Sequence, residues 1–267
     1  MKPGMHGAWS MVATLAFLVT HTAAAALYGT YQGNGSQSPS GIVGLGQLTL
    51  SANSSSVTGQ FKRGGSDGAT FQDVLVIYID SKPGGYSGTG SFMDNNDGEN
   101  GFRRAVSGYN RPGYRSTAYF APGFQADYAI ALSPGLTGGW LYELNTSTEL
   151  YRVANVYLNP SDSGLYRDYS FNFSWETIGL GDSTDKSFNF QTTYITSSGS
   201  RSLESFEQVT GVVGFNEVYF GNYNSFPPVP EPTNMALAAF AGLLVSVGVA
   251  KKARQAWRNH WSDSGAR

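Results

Sequence analysis

The sequence predicts an all-β body, arranged as a β-sandwich or a jelly roll, followed by a single C-terminal transmembrane helix. Composition is the first observation: the 267 residues include 34 glycines, 16 tyrosines and 16 phenylalanines, and only 13% are charged. Glycine suits turns and aromatic side chains suit pleated faces, so this balance favours short strands joined by tight turns. The second observation is apolar alternation with a period of two residues through the middle of the chain. The third is an uncharged stretch, 233–250, long enough to cross a bilayer.

Strands are predicted from the spacing of apolar residues. Val74 to Ile79 is apolar at both parities, which is typical of a strand buried on both faces. Three other segments alternate and are predicted to be strands: 126–132, which should be half-buried, 170–175 and 188–194. Shorter strands are predicted at Val212-Val213 and at Val218-Tyr219-Phe220.

Turn residues separate these segments, which supports the sandwich or jelly-roll prediction. Short turn signals that contain proline or glycine stand at 83–85, 112–113, 134–135, 159–160 and 198–199. The serine-rich segments 36–40 and 51–56 are predicted to be loops. Between the two hydrophobic ends, an apolar period of 3.6 residues appears only briefly, near Leu203 to Val209.

Residues 1–26 contain the three parts of a secretory signal peptide. Lys2 supplies a positive charge, Trp9 to Val19 is apolar, and Ala23 to Ala26 provides small residues for cleavage. We expect cleavage after Ala25 or Ala26, and a retained N-terminal anchor is the alternative. The exported body then spans residues 27–226.

Residues 227–258 combine three features in a fixed order. The box Val229-Pro230-Glu231-Pro232 comes first, the uncharged segment 233–250 follows, and a basic patch at 251–258 ends the series with Lys251, Lys252, Arg254 and Arg258. A helix over 233–250 would be roughly 27 Å long, close to the thickness of a bilayer core. Cations directly after it favour the cytoplasmic side, so residues 259–267 are predicted to form a cytoplasmic tail.

This order of parts resembles the PEP-CTERM sorting signal of Gram-negative bacteria. In that family a membrane-bound exosortase recognises the signal, and its substrates go to the cell envelope or the exopolysaccharide matrix. The resemblance implies export across the inner membrane, with the exosortase and the membrane as partners. It leaves open whether the C-terminal helix is retained as an anchor or cleaved to release the body into the extracellular matrix.

A second resemblance concerns the body. The strand Asp73 to Asp80, the pair Gly84-Gly85 and the segment Arg103 to Gly108 are similar to parts of secreted bacterial β-sandwich modules. Those modules are loosely similar to DOMON domains and family 9 carbohydrate-binding modules. The resemblance implies a sandwich fold and transfers no binding residue.

The net charge and the positions of the histidines exclude several classes of function for the body, as does the lack of cysteine. The net charge of −2 lacks the basic excess that a nucleic-acid partner needs. The three histidines, His6, His21 and His260, lie outside the predicted body, and the chain has no cysteine. The body therefore lacks a Ser-His-Asp triad, a cysteine nucleophile and a histidine or cysteine metal site. No catalytic residue and no cofactor are predicted.

Calcium is the one metal that the sequence leaves open. The segment 94–100 is the densest cluster of oxygen ligands, with Asp94, Asn96, Asp97 and Glu99 as candidates. Its spacing does not fit the EF-hand loop, because Gly98 stands at the fifth position rather than the sixth. A solvated turn rich in Asn and Asp is the alternative interpretation.

Aromatic residues supply two candidate surfaces. Trp140, Tyr142 and Trp175 would suit a platform on which sugar rings stack, with burial in the core as the alternative. A second group surrounds the turn Pro112-Gly113 and would suit an acidic polysaccharide, with solvated loop residues as the alternative; it comprises Tyr109, Tyr114, Tyr119, Arg103, Arg104, Arg111 and Arg115.

These observations favour an exported structural or adhesive protein that is tethered to the membrane in or near an exopolysaccharide matrix. A carbohydrate-binding module is the alternative. A glycoside hydrolase, which needs two carboxylates across a cleft, is a more remote one, and no motif selects such a pair among the glutamates of the body.

Overall fold

The computed structural model describes residues 27–65, 71–92, 94–144, 149–159, 168–184, 186–214 and 216–227. Within these residues the regular structure comprises fifteen β-strands, one α-helix and one 3-10 helix at Glu176–Ile178. The prediction of an all-β body is therefore confirmed.

Four strands form an antiparallel sheet whose strands each present one buried face. From edge to edge they are β1 (Leu27–Gln32), β2 (Gln47–Ala52), β3 (Ser56–Lys62) and β11 (Tyr169–Ser174). Buried and more exposed residues alternate along β11, as predicted for 170–175. Gly59 of β3 stands opposite Phe171 of β11, and the phenylalanine ring fills the space that a side chain at position 59 would need.

Six strands form the second antiparallel sheet. From edge to edge they are β10 (Tyr151–Val156), β9 (Gly138–Glu143), β8 (Tyr128–Ser133), β4 (Val74–Asp80), β12 (Phe188–Ile195) and β15 (Asn224–Phe226). The central strand β4 is buried from Val74 to Ile79, which confirms the prediction made from its apolar run.

The main core joins the inward faces of these two sheets. Leu75, Ile77 and Ile79 of β4 belong to the same buried cluster as Leu48 of β2 and Phe61 of β3. Successive side chains of a strand point to opposite faces, so the alternate buried residues of β4 face away from this core. Another part of the chain must cover them.

A second layer covers the opposite face of the six-stranded sheet. Val74, Val76 and Tyr78 pack there in a separate buried cluster, to which helix α1 (Gly101–Ser107) contributes. The side chain of Asn100 caps the helix by accepting a hydrogen bond from the Arg103 N–H at 3.0 Å. The sequence did not predict this helix, since seven residues are too few to display a clear helical period.

Two smaller sheets complete the described fold. One has the order β13 (Val209–Gly211), β14 (Glu217–Phe220) and β7 (Thr117–Tyr119), with β14 and β7 parallel. The other is a hairpin of β5 (Tyr109–Arg111) and β6 (Tyr114–Arg115), joined at the predicted turn Pro112-Gly113.

Several local predictions are wrong. The cause is burial by a distant part of the chain for 126–132 and the pairing of β2 with β3 for 51–56. The strand predicted at 126–132 begins at Tyr128 and is buried on both faces, since the second layer covers Ala129 and Ala131. Val212 and Val213 are exposed beyond the end of β13, and only Asn53 to Ser55 of the predicted loop 51–56 lie outside strands. At 203–209, where the apolar period is too brief to predict a helix, most of the segment is irregular and buried.

No helix among the described residues is both long and apolar enough to cross a membrane. The predicted signal peptide (1–26), sorting box (229–232), membrane helix (233–250), basic patch (251–258) and tail (259–267) lie outside the described residues.

Candidate functional site

Strand register places three polar residues in a row across the six-stranded sheet. Asn189 of β12 stands opposite Asp80 of β4 on one side and opposite Ser225 of β15 on the other. Asp80 follows Tyr78 with the same parity, so the row lies on the face that carries the second layer. The residues before and after Asn189, Phe188 and Phe190, instead face the main core.

The three side chains are linked by hydrogen bonds. The Ser225 hydroxyl donates to Oδ1 of Asn189 at 2.8 Å, and the Asn189 side chain is hydrogen-bonded to the Asp80 carboxylate. The backbone N–H of Gln125 donates to Oδ2 of Asp80 at 3.3 Å. Burial raises the pKa of Asp80 above its ordinary value, and these two hydrogen bonds oppose the rise.

A groove of about 470 Å³ opens above this row. Its volume falls within the range of roughly 300–1,000 Å³ that is usual for small-ligand sites. The lining residues are Asp80, Ser81, Lys82, Pro83, Gly84, Gly123, Gln125, Ser187, Phe188, Asn189, Ser225 and Pro227. Turns with positive φ at Gly84 and Gly123, 108° and 86°, allow the chain to pass around the rim.

A buried carboxylate fixes the loop on one side of the groove. Oδ2 of Asp127 accepts the backbone N–H groups of Ser81 and Lys82 at 2.9 and 3.0 Å. Nζ of Lys82 donates to the Tyr128 hydroxyl at 3.0 Å and lies 3.2 Å from Oε1 of Glu143. The direction in which β4 leaves the sheet is thereby set, and the Asp80 side chain is held beside the groove.

The row offers both hydrogen-bond donors and hydrogen-bond acceptors. A carboxylate accepts, a serine hydroxyl donates and accepts, and the asparagine amide does both. Sugar hydroxyls also donate and accept, so one hydroxyl can bond two members of such a row. Among the described residues that line the groove, Asp80 alone carries a carboxylate.

The predicted aromatic platform is wrong. Trp175 is 1% exposed, packs in the main core and donates from Nε1 to the Asn53 carbonyl at 2.9 Å. Tyr142 is fully buried on the opposite side of the six-stranded sheet, with Trp140 partly buried beside it. A separate groove of about 690 Å³ borders Trp175, yet the ring is almost wholly covered. The three aromatics cannot share one sugar-stacking surface, because the sheet itself separates Trp175 from the other two.

The calcium candidates pair with cations and amides. Both oxygens of Asp94 accept from Nη1 of Arg103, at 2.8 and 2.9 Å, and Asp97 lies 2.6 Å from Nη2 of Arg115. Glu99 is 3.6 Å from Nε of Arg103, and the side-chain amide of Asn96 donates to Glu149 at 2.8 Å. No group of acidic residues suited to a metal ion occurs among the described residues.

The arginine and tyrosine group around Pro112-Gly113 is divided. Arg103 is buried beside Asp94, whereas Arg111 remains exposed at the hairpin tip with its guanidinium 4.1 Å from the centre of the Tyr114 ring. Tyr119 lies on β7, in a different sheet from the hairpin. The group therefore does not form one surface.

The sequence does not mark the Asp80 row as a site. Asp80 is the polar end of an apolar strand, and Asn189 is a polar position in an alternating one. Nothing local marks Ser225, and no local pattern states that the three residues will be neighbours.

Comparison of the chain with protein-family models, curated proteins and solved structures found no match.

Proposed function

We propose that this chain is an exported adhesive protein that is initially tethered to the membrane and is sorted by an exosortase to the cell envelope or the exopolysaccharide matrix. The support for sorting is the order of box, apolar segment and basic patch. The last described strand ends at Phe226, so the box at Val229 follows the folded body directly. In the sequence the box thus stands between the exported body and the apolar segment 233–250.

The body adheres by binding polysaccharide in the groove above Asp80. One observation carries this step: the row Asp80, Asn189 and Ser225, which presents a carboxylate, an amide and a hydroxyl to a groove of about 470 Å³. Binding rather than hydrolysis is proposed because Asp80 is the single carboxylate that the described residues contribute to the lining, and glycoside hydrolysis ordinarily needs two.

The row of polar residues in the groove also favours the second candidate, a carbohydrate-binding module with a β-sandwich fold. Two antiparallel sheets that enclose a shared core are the architecture such modules use. The two candidates differ in the role of the sugar: an adhesive protein binds its own matrix, whereas a module binds a substrate for an enzyme elsewhere.

Sorting is tested by replacing Pro230-Glu231-Pro232 with alanines in cells that contain an exosortase. We expect the variant to stay uncleaved in the membrane while the wild-type body is released. The matched control replaces Pro227 and Pro228, two prolines outside the box, and should leave release unchanged. Equal release of the box variant and the wild type would refute exosortase sorting.

Sugar binding is tested with the full-length protein on an array of bacterial polysaccharides. We expect Asp80→Asn and Asn189→Ala to reduce binding at least tenfold, since each removes a hydrogen-bonding group from the row. Asp182→Asn, an exposed acid outside the groove, is the control. If no glycan is bound, or if Asp80→Asn binds as the wild type does, the groove is not the adhesive site.

A further inference from the structure

Two tyrosines from distant parts of the chain stack on the surface of the three-stranded sheet. Tyr119 of β7 and Tyr219 of β14 are register partners, and both are exposed, at 41% and 46%. Their ring centres are 4.9 Å apart, with an angle of 12° between the ring planes. Neighbouring parallel strands hold the two backbones in place, so the rings remain close whenever the sheet is formed.

One carboxylate receives both phenol groups. The Tyr119 hydroxyl donates to Oε1 of Glu217 at 3.0 Å, and the Tyr219 hydroxyl donates to Oε2 at 2.5 Å. These hydrogen bonds lower the pKa of Glu217 and raise those of both tyrosines. Because both phenol oxygens bond the same carboxylate, the two oxygens and the ortho carbons beside them lie close together. The Glu217 carboxylate is also a proton acceptor for both phenols.

We propose that Tyr119 and Tyr219 are a site of oxidative modification, at which they become joined by an intrachain dityrosine bond. The co-reactant is a peroxide-driven one-electron oxidant, such as a haem peroxidase with hydrogen peroxide. This inference does not depend on the polysaccharide groove.

Coupling of the pair removes two electrons and two protons from the protein. Each phenol loses one electron to the oxidant and its hydroxyl proton, one proton passing to Glu217 and the other to solvent. The two phenoxyl radicals form a carbon–carbon bond between their ortho positions, and the ring hydrogens at those carbons move to the oxygens. The two electrons and two protons reduce one hydrogen peroxide to two waters.

Exposure alone does not select these residues. Tyr157 is more exposed, at 75%, but no second tyrosine ring stacks on it among the described residues. A radical on Tyr119 already has its partner at 4.9 Å, whereas a radical on Tyr157 has no stacked tyrosine beside it in the described part of the chain. Intrachain coupling should therefore be faster and independent of protein concentration.

The product would connect strand β14 to strand β7 covalently. The chain has no cysteine, so disulfides cannot supply such a connection. A bond between two residues so far apart in sequence would restrict the unfolded chain, as a disulfide across a long loop does. We expect the oxidised protein to melt at a higher temperature than the untreated protein.

The test treats dilute full-length protein with a haem peroxidase and hydrogen peroxide. We expect a monomer lighter by two hydrogens, with dityrosine fluorescence, and trypsin should then yield peptide 116–152 joined to peptide 202–251. Fragmentation must place the bond at Tyr119 and Tyr219, since the first peptide also contains Tyr128, Tyr142 and Tyr151 and the second also contains Tyr223.

Matched variants separate this site from general tyrosine oxidation. Tyr219→Phe keeps the ring but loses the phenol and should abolish the linked peptides, whereas Tyr157→Phe and Tyr223→Phe should not. Glu217→Gln should lower the initial rate several-fold, because an amide is a poorer proton acceptor. Products that are only intermolecular, or linked peptides that persist in Tyr219→Phe, would overturn the proposal.

Discussion

Thr192 donates both its backbone N–H and its hydroxyl to one carboxylate oxygen of Glu207, each across 2.8 Å. Strand β15 pairs with β12 only from Phe188 to Phe190, so Thr192 lies beyond the reach of that pairing. The Glu207 carboxylate takes the place of a strand carbonyl there. Ser205 and Asn224 also donate to it, and the glutamate is 1% exposed.

This buried carboxylate should make stability depend on pH. Burial raises the pKa of Glu207 from 4.5 to about 7, although four hydrogen bonds oppose the rise. The folded state therefore holds its proton more tightly than the unfolded state, and the free energy of unfolding should fall as pH increases from about 4.5 to about 7, by about 3 kcal/mol. Urea unfolding at about pH 5 and about pH 8 measures this change.

Glu207→Gln should remove most of that pH dependence, because an amide does not ionise. Burial also raises the pKa values of Asp80 and Asp127, which contribute with the same sign and remain in the variant. Glu176→Gln, an exposed change, is the control. An unchanged pH dependence in Glu207→Gln would show that this carboxylate does not titrate in the interval.

Ile77→Ala should destabilise the protein by about 2–5 kcal/mol, the usual effect of a large cavity in a core. Ile77 is 3% exposed in the middle of β4, between Ile130 of β8 and Thr192 of β12. Denaturant midpoints of the two proteins give the difference. Val212→Ala removes methyl groups from a side chain that is 61% exposed and should change stability by less than about 0.5 kcal/mol. Similar losses in both variants would argue against a central β4.

Asp94→Ala should cost about 3–5 kcal/mol, because it leaves the buried Arg103 guanidinium without its main partner. Glu99→Gln should cost far less, since that side chain is 59% exposed and 3.6 Å from the same arginine. Thermal melting with and without a chelator completes the experiment. We expect no effect of chelation, and a large decrease in melting temperature would instead indicate bound calcium at residues 94–100.

Gly59→Ala should cost about 1–3 kcal/mol through overpacking. A Cβ atom at position 59 would lie 2.2 Å from the Phe171 ring, so that ring would have to leave its place between the sheets. Gly98→Ala is the matched control, with its nearest neighbour at 3.6 Å, in ordinary contact. Chemical denaturation compares the two, and equal stability would mean that the Phe171 ring moves aside freely.

The local sequence pattern was sufficient to predict those elements whose structure depends on a single stretch of chain. The apolar run at Val74 to Ile79 predicted the central strand, since a segment with no polar face must be covered on both sides. The alternation at 170–175 predicted the half-buried strand β11. Pro112-Gly113 predicted the hairpin turn, because turn preferences act over a few residues.

Composition and local spacing by themselves thus determined an all-β body, its central strand and several of its turns. Only the tertiary structure decided that Trp175 and Tyr142 are buried on opposite sides of one sheet, and that Asp80, Asn189 and Ser225 form a row. The physical reason is strand pairing: alternation tells which residues of a strand share a face, whereas register between distant strands decides which residues meet. The stacking of Tyr119 on Tyr219 depends on the same pairing, between β7 and β14.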